Sequence, residues 1–213
     1  MKHLVALLVL LASVMRADAA PQKEPGSVKD VEKAAAALRD AKPLPSLGIV
    51  SEGLNWYQVL SLDSRTVIVV SRNLGGSLLL FDEEGRFKGA TETEEVLSVQ
   101  LVRLVGNSWN LLLTTLDGFG TGVRYEGFHL FVDRHWKLVE IWHGEGYVIE
   151  MRPGKQPAVE TERVGFVRVI EQSAGLPAWL LHSVEDTVSG SRQTSVWEVA
   201  NGRLVKRALA AKE

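Results

Sequence analysis

Cysteine is absent from all 213 residues. That excludes disulfides, thiolate nucleophiles, Cys-ligated zinc and iron–sulfur clusters. No Asn-x-Ser/Thr triplet occurs, so N-glycosylation has no acceptor. No apolar run reaches the roughly 20 residues that a membrane-crossing helix needs. There is no Gly-x-Ser-x-Gly elbow, no phosphate loop ending in Lys-Ser/Thr and no Asp-rich calcium loop. Excess charge of one sign is also missing. The 24 Lys+Arg face 26 Asp+Glu and the basic residues are scattered, which argues against a nucleic-acid footprint.

The first residues carry a different message. Met1-Lys2-His3 is a short basic start, and Leu4 to Met15 are only Leu, Val, Ala, Ser and Met. Ala17-Asp18-Ala19 then fits the small-residue pattern of a signal-peptidase site. The sequence therefore predicts a signal peptide over 1–19, cleavage near Ala19 and an extracytoplasmic protein, periplasmic or secreted. Removing Lys2, Arg16 and Asp18 would leave 22 basic against 25 acidic side chains, a net of −3. A chain of this size can hold itself by its core alone in an oxidising space.

Residues 20–46 read as an N-terminal helix and linker. Ser27 is an N-cap candidate, Ala34 to Ala37 favour helix, and Val28, Val31, Ala35 and Leu38 fall on one stripe. The stripe is thin, so the helix over Ser27 to Ala41 is expected to dock on the surface or end of the domain. Pro43-Leu44-Pro45 ends it.

Residues 47–213 read as a single all-β domain. Short runs of Val, Leu, Trp and Thr, broken by Gly, Asp and Asn, predict thirteen antiparallel strands. They are 56–62, 66–71, 77–81, 86–91, 97–105, 109–116, 123–132, 137–143, 147–152, 163–171, 179–184, 194–199 and 203–208. Self-comparison finds a repeat. Val102–Val105 matches Val167–Ile170, Leu111–Leu113 matches Trp179–Leu181, and Lys137–Val139 matches Arg203–Val205, at offsets of 65 to 68. A shorter copy, Leu79–Phe87, parallels Leu130–Leu138 at offset 51. Such meanders resemble β-propeller blades in architecture, as a partial or open propeller. A β-sandwich or barrel is the alternative, since antiparallel meanders produce pseudo-repeats of their own.

Chemistry-bearing residues are few. The loop Asp117–Gly122 is glycine-rich but leads into a strand, so a turn or bulge is its plain reading. As a binding loop it would offer Asp117, Phe119 and Arg124. His129, His135, Glu140, His143 and Glu145 are the densest ionisable group, and His143 and Glu145 share a face if their strand continues. Asp117, His129 and Glu145 are therefore the catalytic candidates, of a hydrolase acting on an envelope or polysaccharide substrate. Phe119, Arg124, Trp136 and His143 are the binding candidates. Nothing in the spacing compels a metal or calls for a cofactor. Of six tryptophans, Trp179 and Trp197 match apolar repeat positions and are expected in the core, while Trp136 and Trp142 are expected exposed. The runs Asp82–Glu84 and Glu92–Glu95 read as solvated faces. Lacking a convergent catalytic set, the chain reads best as an exported, non-catalytic binding module for a protein or glycan ligand. Self-association through open sheet edges is a further expectation.

Overall fold

The computed structural model describes residues 54–105, 108–152, 158–171, 178–200 and 203–207. The expected signal peptide and the helix over 27–41 lie outside these residues. Within them the chain forms twelve strands and no helix. They are β1 (Leu54–Leu62), β2 (Arg65–Arg72), β3 (Gly75–Phe81), β4 (Phe87–Thr93), β5 (Glu95–Val102), β6 (Asn110–Gly120), β7 (Val123–Asp133), β8 (Leu138–Arg152), β9 (Ala158–Ile170), β10 (Trp179–Asp186), β11 (Ser191–Ala200) and β12 (Arg203–Arg207).

Within each sheet, strands that are neighbours in sequence are neighbours in space. β1 to β4 form one antiparallel sheet and β5 to β12 a second, both in simple sequential order. Short polar turns join β-branched and Leu-rich runs, and two-residue turns leave no other pairing within reach. Side chains alternate between faces, so each sheet builds a core on each side it can cover.

The first core lies between the sheets. Leu60, Val67, Val69, Leu78 and Leu80 of the first sheet pack on Leu111, Leu113, Phe131 and Leu138 of the second. The second core lies on the opposite face of β6 to β8. There Leu112, Leu130 and Trp142 meet Leu180, with Val167, Val169, Trp197 and Leu204 packed against them. The second sheet therefore rolls back on itself. β5 and β12 each have a single partner, so the barrel alternative does not hold among the described residues. The basic edge β12, with Arg203, Lys206 and Arg207, is charged in the way that discourages further pairing.

Both repeat copies fall in this one sheet, as β5–β8 and β9–β12, in the same strand order. Their last hairpins share a register at offset 66, with Val132 opposite Val139 and Glu198 opposite Val205. Their first hairpins do not. Leu113 pairs with Val99, whereas its counterpart Leu181 pairs with Arg168, the counterpart of Arg103.

Several local expectations change. The strands expected over 137–143 and 147–152 are one long strand, β8. Trp142 is buried, with His182 and Trp197 ring centroids 5.4 and 6.4 Å away. Gly144 makes room for it, since a Cβ there would lie 2.6 Å from the indole. Asp82 is buried too, not solvated. It accepts backbone N–H bonds from Glu84 and Arg86 and pairs with Arg86 and Lys88 at 2.7 and 2.9 Å. Burial alone would raise its pKa, but these cations hold the carboxyl far below the usual range.

Candidate functional site

Three strands bring ionisable side chains to one face, just beyond the inter-sheet core. Along β6, Leu111, Leu113 and Thr115 share that face, and along β7 so do Phe131, His129 and Gly127. A bulge between Leu116 and Gly118 leaves Asp117 without a partner on β7, so its side chain leans over Gly127. A second bulge on β8 skips Ile141, with Leu130 opposite Trp142 and Phe131 opposite Glu140. In a regular strand residues three apart face opposite ways. The bulge instead places Glu140 and His143 on the same face.

The result is a row. His129 Nε2 lies 3.2 Å from Asp117 Oδ1, and His129 Nδ1 lies 3.2 Å from Glu140 Oε2. Glu140 Oε1 lies 3.2 Å from His143 Nδ1. Thr115 donates its hydroxyl to Asp117. One wall of a groove of about 570 Å³ is formed by Thr115, His129 and Glu140, the other by Thr91 and Thr93 of β4 and by Glu94, which follows it.

The electrostatics follow from the pairing. Burial disfavours the charged ring of His129, but the bonds and charges of Asp117 and Glu140 outweigh it and raise its pKa above 6.5. Burial likewise opposes ionisation of Asp117, and the bonds from His129 and Thr115 outweigh it and lower its pKa below 3.8. With a carboxylate beside each ring nitrogen, the site favours the protonated ring, in which both nitrogens donate. In that protonated form the ring has no free lone pair with which to act as a general base. Among the described residues, no three acids or histidines are grouped as a metal ion would require.

The structure thus joins Asp117, His129 and His143 through Glu140. It keeps Glu145 apart, in a two-pronged bond with Arg163 at 2.7 and 2.9 Å. Phe119 and Arg124 face each other near the tip of the β6–β7 hairpin. Phe119 is 60% exposed, and Arg124 is held by Glu126 at 2.7 Å. Trp136 is 37% exposed but occupied, with Arg65 4.1 Å and Lys88 5.1 Å from its ring centre. With the ion pair between Arg65 and Asp133, it fastens the β7–β8 turn to the first sheet.

A second surface was not foreseen. Trp179 lies on the outer face of β9–β12, away from the rolled core, contrary to its expected place. The register puts Trp179 beside Ile170 and, through Glu198, Val205. The next row is Arg168, Leu181, Val196 and Arg207. Phe166 and Val205 are 49% and 50% exposed, and Trp179, Leu181 and Val196 are half-buried. Arg192 leans over the Phe166 ring at 5.9 Å. The face is apolar with charges set into it: Arg168 lies beside Leu181, and Glu198, paired with Arg207, lies between Trp179 and Val205. Its residues alternate with core residues such as Leu180 and Trp197, so the sequence shows apolar runs without saying which half is covered. The chain matches no family model, no curated protein and no solved structure.

Proposed function

We propose that the protein is an exported, non-catalytic interaction module, released from a signal peptide near Ala19, whose ligand is another protein. The observation that carries this reading is the outer face of β9–β12. There half-exposed aromatic and aliphatic side chains stand among arginines, and exposed apolar groups, aromatics and arginine are enriched at interaction sites. The His129 row adds a negative reason, because its acid and base groups are bonded to one another. We read β5–β8 and β9–β12 as a duplicated blade-like meander, one copy packed under the first sheet and the other left open to a partner.

A photo-crosslinking residue at Phe166 or Val205, in the chain expressed in its own host, tests the proposal. The expected result is a discrete adduct from both positions and none from Ser189, an exposed turn residue off the face. Equal labelling from Ser189, or no adduct from either site, would sink it. The competing hydrolase reading predicts turnover of envelope polysaccharide that Asp117→Asn abolishes.

A further inference from the structure

The β1–β4 sheet has buried residues at the centre of both faces, although its outer face is exposed at the rim. The inner face packs on β5–β8 through Leu60, Val67, Val69, Leu78 and Leu80. The outer face carries Tyr57, Ile68, Val70, Leu79 and Phe81. Pairing fixes their common side: Tyr57 is opposite Val70, Ile68 opposite Leu79, and Phe81 opposite Thr66, in three successive rows. All five are at most 6% exposed. A sheet face open to water does not bury its residues so completely. The outer face of β9–β12 in the same molecule leaves Phe166 and Val205 about half exposed. None of the five joins the two apolar clusters that the described residues make with one another. The sheet's main contacts with other strands run to β5 and β8, on its inner side.

The clusters and main strand contacts of the described residues supply no cover for this outer face. The short stretches 106–107, 153–157, 172–177 and 201–202 are interruptions within the second sheet, and 208–213 follows β12. Residues 1–53 lead directly into β1. Within them, Val28, Val31, Ala35 and Leu38 make an apolar stripe at helical spacing. A 15-residue helix is about 22 Å long, and four strands are about 14–19 Å across. The twelve residues 42–53 can span up to roughly 40 Å, ample to return the chain to β1.

We infer that residues 27–41 form a helix that docks its Val28-Val31-Ala35-Leu38 stripe on the outer face of the β1–β4 sheet, in the same chain. The occupant is thus the chain's own N-terminal segment, and the sheet becomes the middle of a helix–sheet–sheet stack. This goes beyond the proposed function and does not depend on it.

The absence of cysteine makes a direct test possible. Val59 and Ala90 lie at the two ends of the row Val59-Ile68-Leu79-Ala90 on the outer face, and both are exposed. Single cysteines are placed in turn from Val28 to Arg39 in the full chain carrying Val59→Cys or Ala90→Cys, and oxidised. A disulfide needs Cα atoms within about 7 Å, so cross-linking reports contact. The expected result is intrachain disulfide in monomeric protein, recurring every three to four positions in phase with Val31, Ala35 and Leu38. Cross-linking in covalent dimers alone would assign the face to a second copy and overturn the inference. Absence of cross-links to both rim positions, or cross-linking without periodicity, would also overturn it. A second measurement uses no disulfide. The double variant Val31→Glu, Leu38→Glu should raise binding of an apolar-surface dye several-fold, while Lys33→Glu should not. Unchanged dye binding in the double variant counts against the docked helix.

Discussion

Asp117 and His129 meet across the β6–β7 pair at 3.2 Å because the residue between them, Gly127, has no side chain. A Cβ at Gly127 would overlap Asp117 Oδ2 and lie 2.7 Å from His129 Nε2. The bulge at Asp117 and the glycine opposite Thr115 are thus two halves of one device. The first brings a carboxylate inward and the second leaves it room.

Gly127→Ala should break that contact. The expected cost is about 1–3 kcal/mol of unfolding free energy, the range typical of a steric and polar disruption. In an Asp117→Ala background the same substitution should cost clearly less, since the group it strikes is gone. Urea titration of the four proteins checks this. Equal costs in both backgrounds would show that Gly127 serves the backbone rather than the pair.

The pairing also sets a pH window. His129 has a folded pKa raised above 6.5, so its contribution is complete below 6.5 and is lost as pH rises through the raised value. Asp117 has a folded pKa lowered below 3.8, so its contribution is complete above 3.8 and is lost as pH falls through the lowered value. The row therefore stabilises most between these limits. Stability should fall as pH rises from 6.5 through the raised value, and His129→Gln should flatten the fall. Identical pH dependence in the variant would place the titrating group elsewhere.

The β7–β8 turn spends backbone strain for a contact. His135 and Trp136 both have left-handed backbones, with φ of 54° and 69°, at positions where Asn-Gly is the ordinary choice. Arg134 and Lys137 close the turn through reciprocal backbone bonds of 2.8 and 3.2 Å. Trp136 recovers its cost between Arg65 and Lys88, whereas His135 is exposed and has no such contact among the described residues. His135→Asn should therefore stabilise by up to about 1 kcal/mol, a rise of roughly 2–4 °C in Tm. Trp136→Ala should destabilise by about 1–2 kcal/mol despite relieving some strain. Calorimetry of both variants tests the contrast. A loss on both would show that His135 also makes a contact that matters.

The sequence marked strands well because their apolar runs are broken by turn residues at short intervals. Strand ends shift by up to five residues, as at β9, and one break is false, at Gly144 and Gly146, since glycine signals both a turn and a close approach. Here Gly144 yields to Trp142, and a Cβ on Gly146 would lie 2.8 Å from Glu126 O. Asp117, His129 and His143 were visible as residue types. Their convergence was not, because it depends on bulges at Asp117 and Ile141 that reset the alternation without altering composition. Trp179 was misassigned for a related reason. Adjacent Trp179 and Leu180 are both apolar, and only the rolled sheet decides which faces inward.

Asn110 offers the sharpest test of the rolled sheet's edge. It is buried, and its Oδ1 accepts the N–H groups of Leu104 and Val105 at 3.1 and 2.8 Å. Those residues leave β5 and have no ladder partner, so the amide oxygen replaces a strand. Asn110→Leu fills the space but orphans both donors. At about 1–3 kcal/mol for each unsatisfied group, the loss should be roughly 2–4 kcal/mol once partial access of water to the half-buried Val105 is allowed for. Asn110→Asp keeps the acceptor, and a carboxylate bonded by two N–H groups has a lowered pKa. Its stability should therefore approach that of the parent at neutral pH and fall away as pH drops through that value. Urea midpoints for the three proteins at about pH 7 and about pH 4 separate these cases. If Asn110→Leu matches the parent, the two N–H groups find water or another acceptor, and Asn110 does not hold the end of β5.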